Sequence, residues 1–98
     1  MARWVVFFDD EPGMMNVRRE REPLHLAYLD RHAEEIRLAG GLREAPGDAF
    51  VGGLWVLEVA SRERAVALIE NDPYYVPSLR RYRLLTWGKA FPDRLVTL

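Results

Sequence analysis

The sequence predicts an α+β fold in the order β-α-β-β-α-β, with an antiparallel sheet that carries both helices on one face. Three observations carry that prediction. The run Trp4–Phe8 is short, aromatic and β-branched. Between Pro23 and Ala39 the apolar spacing changes to fours and threes. Phe50–Val59 reads as a long strand followed at once by a capped apolar stripe.

Strand one, Trp4 to Phe8, is closed by the turn residues Asp9-Asp10-Glu11-Pro12-Gly13, and a polar, arginine-bearing stretch continues through Arg21. From Pro23 to Ala39, His25, Leu29, His32 and Ile36 fall on one helical stripe, with Tyr28 and Ala39 flanking it. Pro23 suits the first turn of that helix and Gly40-Gly41 its end. Leu42–Ala45 is expected as a short second strand, Pro46-Gly47-Asp48 as a turn, and Phe50–Val59 as a third strand interrupted by Gly52-Gly53. Ser61 is placed to cap a second helix, with Glu63 in its positive first turn and Ala65, Leu68 and Ile69 as its apolar stripe. Asn71-Asp72-Pro73 ends that helix, because the residue before proline is pushed out of the helical region. Tyr82–Trp87 alternates as a fourth strand, and residues 88–98 form an arm carrying Phe91, Leu95 and Val96.

This order is the ferredoxin-like arrangement, which leaves one sheet face without helices. Trp4, Val6 and Phe8 oppose Val5 and Phe7, and Trp55, Leu57 and Val59 oppose Leu54 and Val56, so both faces are apolar. A half-exposed antiparallel sheet alternates apolar with polar, so a second cover is implied. A second subunit is the expected cover, and loops or the arm folding over the strands are the alternative. Phe91 and Leu95 are expected to pack on the body of the fold or on the partner subunit.

The 98 residues fit one domain spanning 1–98. With 49% hydrophobic and 30% charged residues, the chain has the composition of a folded globule. The absence of cysteine excludes disulfides, thiolate metal sites and cysteine nucleophiles, and it makes a cytoplasmic location the expectation. A net charge of -1 lacks the positive field of a nucleic-acid or anionic-membrane binder, so small molecules are the expected partners. The longest apolar run, Trp4–Phe8, is far short of the roughly 20 residues that a membrane helix needs, and no export signal is expected.

Only two histidines occur, both on the stripe of the first expected helix. His32 reads as a hydrogen-bonded core residue. His25 falls in the first turn of that helix, where the dipole disfavours imidazolium and leaves a neutral ring able to accept a proton. Such a base needs an orienting acceptor. Asp72, held by Pro73, is one candidate, and Asp9, Asp10 and Glu58 are others.

The pieces Leu24-His25-Leu26, Ala39-Gly40, Gly52-Gly53 followed by Val56-Leu57-Glu58, and Asn71-Asp72-Pro73-Tyr74, with an aspartate closing strand one, give the chain a resemblance to the YciI-like (YCII-related) family across residues 2 to 87. The resemblance implies a dimeric α+β barrel and a histidine–aspartate pair in a pocket, which map onto His25 and Asp72. Asp10 matches the strand-one aspartate. It also implies lyase-like chemistry, the elimination of hydrogen chloride from a chlorinated hydroxyquinol, and similar barrels host muconolactone isomerases. In that scheme His25 removes a proton, Asp72 orients it, and Arg21 holds an anionic substrate group; Asp10 and Tyr74 complete the expected substrate-binding set. The chain departs from the family at Gly41 and Leu54, and its Trp87-Gly88-Lys89-Ala90-Phe91-Pro92 segment marks a subgroup.

Other chemistries lack their patterns. Two histidines seven apart lie about 10 Å apart along a helix, and no further ligands suggest a metal site. No phosphate-binding glycine fingerprint, nucleophile elbow or RNA-binding aromatic consensus is present, and no cofactor is expected. Arg80-Arg81-Tyr82-Arg83 reads as a solvated strand end. The competing functional reading is a non-catalytic module whose pocket binds a metabolite or a partner.

Overall fold

The computed structural model describes residues 1–98. Its elements are β1 (Ala2–Asp10), α1 (Met14–Arg31), β2 (Ile36–Leu42), β3 (Gly52–Val59), α2 (Arg62–Glu70) and β4 (Arg80–Thr86). β1 pairs antiparallel with β3, from Ala2 opposite Val59 to Asp9 opposite Gly52, and on its other side with β4, from Trp4 opposite Thr86 to Asp10 opposite Arg80. β2 adds to the far edge of β3, giving the order β2-β3-β1-β4. This is the ferredoxin-like α+β fold.

Strand alternation decides which side chains meet the helices. Val6 and Phe8 of β1 and Trp55, Leu57 and Val59 of β3 are buried with Tyr28 of α1 and Ala65, Leu68 and Ile69 of α2. Phe8 meets Trp55 edge-on, with ring centroids 5.1 Å apart. Burying each such side chain contributes about 1.5–3 kcal/mol relative to leaving it in water. Ser61 caps α2 as its sequence position predicts, its hydroxyl accepting from the Arg64 amide at 3.1 Å.

The first helix departs from the expectation of Pro23–Ala39. It starts at Met14, whose amide donates to the Glu11 carbonyl at 2.9 Å, and it ends at Arg31, where the His32 amide donates to the Tyr28 carbonyl. Residues 16–22 are mostly Arg and Glu, good helix formers with no apolar period to betray them. Pro23 lies inside the helix on its exposed side, where it removes the bond to the Arg19 carbonyl without ending the helix. From Ile36 onward the chain is β2, not helix. Ile36 keeps helical spacing with His32 but is buried opposite Leu57 as a strand residue.

Gly40-Gly41 is therefore no helix end: it lies within β2, near that strand's end, with Gly41 opposite Gly53. The expected strand over 42–45 reduces to Leu42, the last residue of β2, and the Pro46-Gly47-Asp48 turn sits in the loop that follows, with Gly47 at φ 91°. β3 starts at Gly52 instead of Phe50, and β4 covers Arg80–Thr86 instead of Tyr82–Trp87.

Neither helix lies on the second sheet face. There Val5, Phe7, Leu54, Val56 and Leu85 line an open apolar groove of about 390 Å³. The arm leaves β4 through a bond from the Trp87 amide to the Arg3 carbonyl. Phe91 is 57% exposed and Leu95 92%; both line, with Leu38 and Val56, an open groove between the arm and the sheet, so neither is buried within this chain. No helix is long and apolar enough to cross a membrane.

Candidate active site

α1 and the loop after α2 converge on the helix-covered face, at the end of the sheet where β1 stops and β3 begins. His25 sits in the interior of α1 and points inward. The dipole reading that placed it in a first turn does not apply, because the helix begins eleven residues earlier. The ring is held by a side chain instead. Nδ1 of His25 lies 2.6 Å from Oδ1 of Asp72, a residue 47 positions away whose side chain is 1% exposed. The same Oδ1 accepts the Tyr74 amide at 3.2 Å, a local turn that Pro73 favours by fixing its own φ. With Nδ1 engaged, Nε2 is left without a protein partner.

Tyr74 stacks on the imidazole, with centroids 3.7 Å apart and planes within 7°. Its hydroxyl donates to the Arg18 carbonyl at 3.3 Å, and burial, with the nearby Glu22 carboxylate next, pushes its pKa above the ordinary tyrosine value. Tyr74 thus stays a neutral phenol that clamps the ring from one side.

A cavity of about 160 Å³ opens beside this pair, between α1, β2, β3 and the loop at Phe50. That is below the range of drug-sized ligand sites and suits a small molecule. Missing side chains make the room: Ala39, Gly40, Gly41 and Gly53 form one wall, and a Cβ on Gly41 would meet Phe50 ring atoms at 2.5 Å.

At the inner end, Asp10 is fully sealed and accepts from two arginines. Arg80 grips it with Nε at 2.7 Å and Nη2 at 3.0 Å, and Arg18 Nη2 reaches it at 3.0 Å while also donating to the Gly52 carbonyl at 2.8 Å. Among the expected site residues, the structure thus brings together His25, Asp72 and Tyr74, and sets Asp10 behind the cavity wall. Arg21 is elsewhere: exposed, with its guanidinium on the Pro73 carbonyl at 3.1 Å. The arginines that line the cavity are Arg18, one turn earlier, and Arg80. His32 caps the end of α1, 4.5 Å from the Tyr28 ring, away from the cavity. No three His, Asp or Glu side chains converge as metal ligands do.

The family model of the YCII-related domain matches residues 2–88. The chain belongs to that family. Among solved structures, this YCII-related chain is similar to 5-chloro-2-hydroxyhydroquinone dehydrochlorinase (TftG) from Burkholderia phenoliruptrix AC1100, in complex with 2,5-dihydroxybenzoquinone. The TM-score is 0.76 and the identity 24%, over 88% of this chain and 93% of that one. At that identity the likeness establishes the fold. No curated protein sequence matches the chain.

Arg18 and Arg80 were missed for different reasons. Arg80 stands among four consecutive polar or basic positions, yet it shares strand parity with Tyr82 and Leu84, which pack on the core. Extending β4 back by two residues turns Arg80 inward, so it is not part of a solvated strand end; its side chain is 3% exposed. Arg18 is two helical turns before His25, on the same stripe, visible only once α1 is known to begin at Met14.

Proposed function

We propose that this YCII-related protein is an enzyme in which His25 acts as a general base on a small cyclic or aromatic-derived molecule. One observation carries the reading: a half-sandwiched imidazole whose Nδ1 is fixed on a buried carboxylate and whose Nε2 is free beside a small cavity. A carboxylate accepting from Nδ1–H selects the tautomer with the lone pair on Nε2 and supports the imidazolium formed when that nitrogen takes a proton. The dehydrochlorinase of similar fold, with its bound dihydroxybenzoquinone, supports a ring substrate and elimination chemistry. In such an elimination Nε2 takes a ring-hydroxyl proton, the O–H electron pair becomes a carbonyl π bond as a proton adds to the chlorine-bearing carbon, and loss of a second hydroxyl proton from that keto form lets the C–Cl pair depart with chloride. An isomerisation would use a like proton removal and return the proton to a different atom of the ring.

The working unit in this reading is a homodimer. The apolar face of Val5, Phe7, Leu54, Val56 and Leu85 supports it, because no helix of the chain covers that face.

Chloride release and ring absorbance, measured on a panel of chlorinated and unchlorinated hydroxyquinols, test the proposal. His25→Gln is expected to keep the melting temperature and lower kcat by about 10²–10⁴. Asp72→Asn should cause a comparable loss without adding to it, as groups acting as one unit do. Equal turnover in wild type and His25→Gln contradicts the assignment. Binding of the panel without turnover of any member supports the non-catalytic module instead.

A further inference from the structure

We propose that the cavity selects an anionic ligand, a ring carrying a carboxylate or an ionised hydroxyl, and that Arg18 and Arg80 read its charge. This rests on the cavity being the substrate site and deepens that reading by naming the substrate class.

Two guanidinium groups face a single carboxylate at the inner end, which leaves one positive charge over. That charge is poorly hydrated: the side chains of Asp10, Arg80 and Arg18 are 0%, 3% and 12% exposed. Removing a charge from water without a counter-ion is costly, and an anion entering the cavity offsets that cost.

Donor capacity agrees with the charge. Arg80 commits Nε and Nη2 to Asp10, and Arg18 commits Nη2 to Asp10 and the Gly52 carbonyl. Each keeps Nη1 without a protein acceptor, and both side chains line the cavity. Nε of Arg18 is buried with no acceptor at all. A guanidinium has five N–H donors in a planar fork that matches the oxygens of a carboxylate. Each fork also rests on an aromatic ring, Arg80 over Phe8 at 4.5 Å and Arg18 over Phe50 at 4.6 Å.

Orientation follows from the remaining groups. Glu22 is the one carboxylate lining the cavity and is exposed, so it disfavours an anion at its own position while the inner end attracts one. The Tyr74 ring lies against His25 and within 5.4 Å and 5.7 Å of the Arg18 and Arg80 guanidinium carbons. A ligand with its charged oxygens on the arginines therefore holds the rest of its ring near His25 Nε2. Asp10 is a positioning residue, holding both arginines without lining the cavity.

Isothermal titration of benzoate against benzamide, two rings of like shape that differ in charge, tests the proposal on the full-length chain. Wild type is expected to bind benzoate at least about tenfold more tightly than benzamide. Arg18→Gln should remove that preference while benzamide affinity and melting temperature hold, and His25→Gln should retain it. Arg18→Lys keeps the charge but loses the fork. It should weaken benzoate several-fold, which serves as the test if Arg18→Gln does not fold. Equal affinities in wild type, a preference intact in both Arg18 variants, or no saturable benzoate binding at millimolar concentration would overturn the proposal. Because the titration reads no turnover, it can succeed where His25 proves non-catalytic and fail where His25-dependent turnover is seen.

Discussion

On the helix-covered face of the sheet, charged and polar side chains are buried and nearly all are paired, whereas the opposite face is apolar, half-open and covered by neither helix. Asp10, Arg80, Asp72 and His25 all lie inside the first region and bond to one another in two sets. Val5, Phe7, Leu54 and Val56 hold the second, with the Arg3–Glu58 ion pair at its edge and the Arg83 guanidinium 5.5 Å from the Phe7 ring centroid. Alternation along the same two strands, β1 and β3, builds both. One face holds the buried polar groups of the proposed site, and the other holds the apolar area on which the proposed dimer rests.

The sharpest way to break the first region is at the backbone. A Cβ on Gly52 would lie 1.9 Å from the Phe8 carbonyl oxygen, an overlap that only strand separation relieves. Gly52→Ala is therefore expected to cost more than about 3 kcal/mol in urea unfolding and to loosen the Arg18 contact with the Gly52 carbonyl. A midpoint within error of wild type would mean that β1 and β3 approach less closely than described. The second region should respond differently. Leu85→Glu, at a half-exposed groove position, is expected to leave the fold intact and turn a dimer into a monomer of about 11 kDa in analytical ultracentrifugation. An unchanged assembly would move the interface elsewhere.

The smallest effect is expected outside both regions. Arg64 donates to Glu35 through Nε at 2.9 Å and Nη2 at 2.7 Å, and this bond holds the Glu35 carboxyl below its ordinary pKa. A lowered folded-state pKa stabilises the protein fully above the ordinary carboxylate value, and that contribution is lost as pH falls through the folded value. The pair is largely solvent-screened, so Arg64→Ala should cost within about 0.5 kcal/mol at pH 7 and nothing at pH 2. Thermal unfolding at the two pH values checks it, and a larger loss at the lower pH would reverse the sign.

The order of elements was legible in the sequence because β1, β3 and α2 each announce themselves locally, through β-branched alternation or a serine cap. α1 and β2 were displaced because their signals are tertiary. The charged half of α1 has no apolar period, and Gly40-Gly41 looks like a helix end until Gly53 lies across from it. The contact between His25 and Asp72 could not be read from spacing, since 47 residues separate them; the family resemblance nominated the pair, and the fold supplies the distance. Asp10 with Arg80 was within reach of sequence reasoning, because strand parity turns both inward. Arg18 was not, because a basic residue on a helix of unknown start has no face.

In the proposed site Asp72 fixes His25 with its proton on Nδ1 and its lone pair on Nε2, facing the cavity. Two-bond ¹H–¹⁵N correlation spectra of the imidazole groups, recorded once the rings are neutral, test it most directly. His25 is expected to be the Nδ1–H tautomer in the wild type, and a benzoate-like ligand is expected to perturb Nε2 more than Nδ1. Asp72→Ala should let the ring revert to a mixture of tautomers. A wild-type His25 carrying its proton on Nε2 would overturn the assignment.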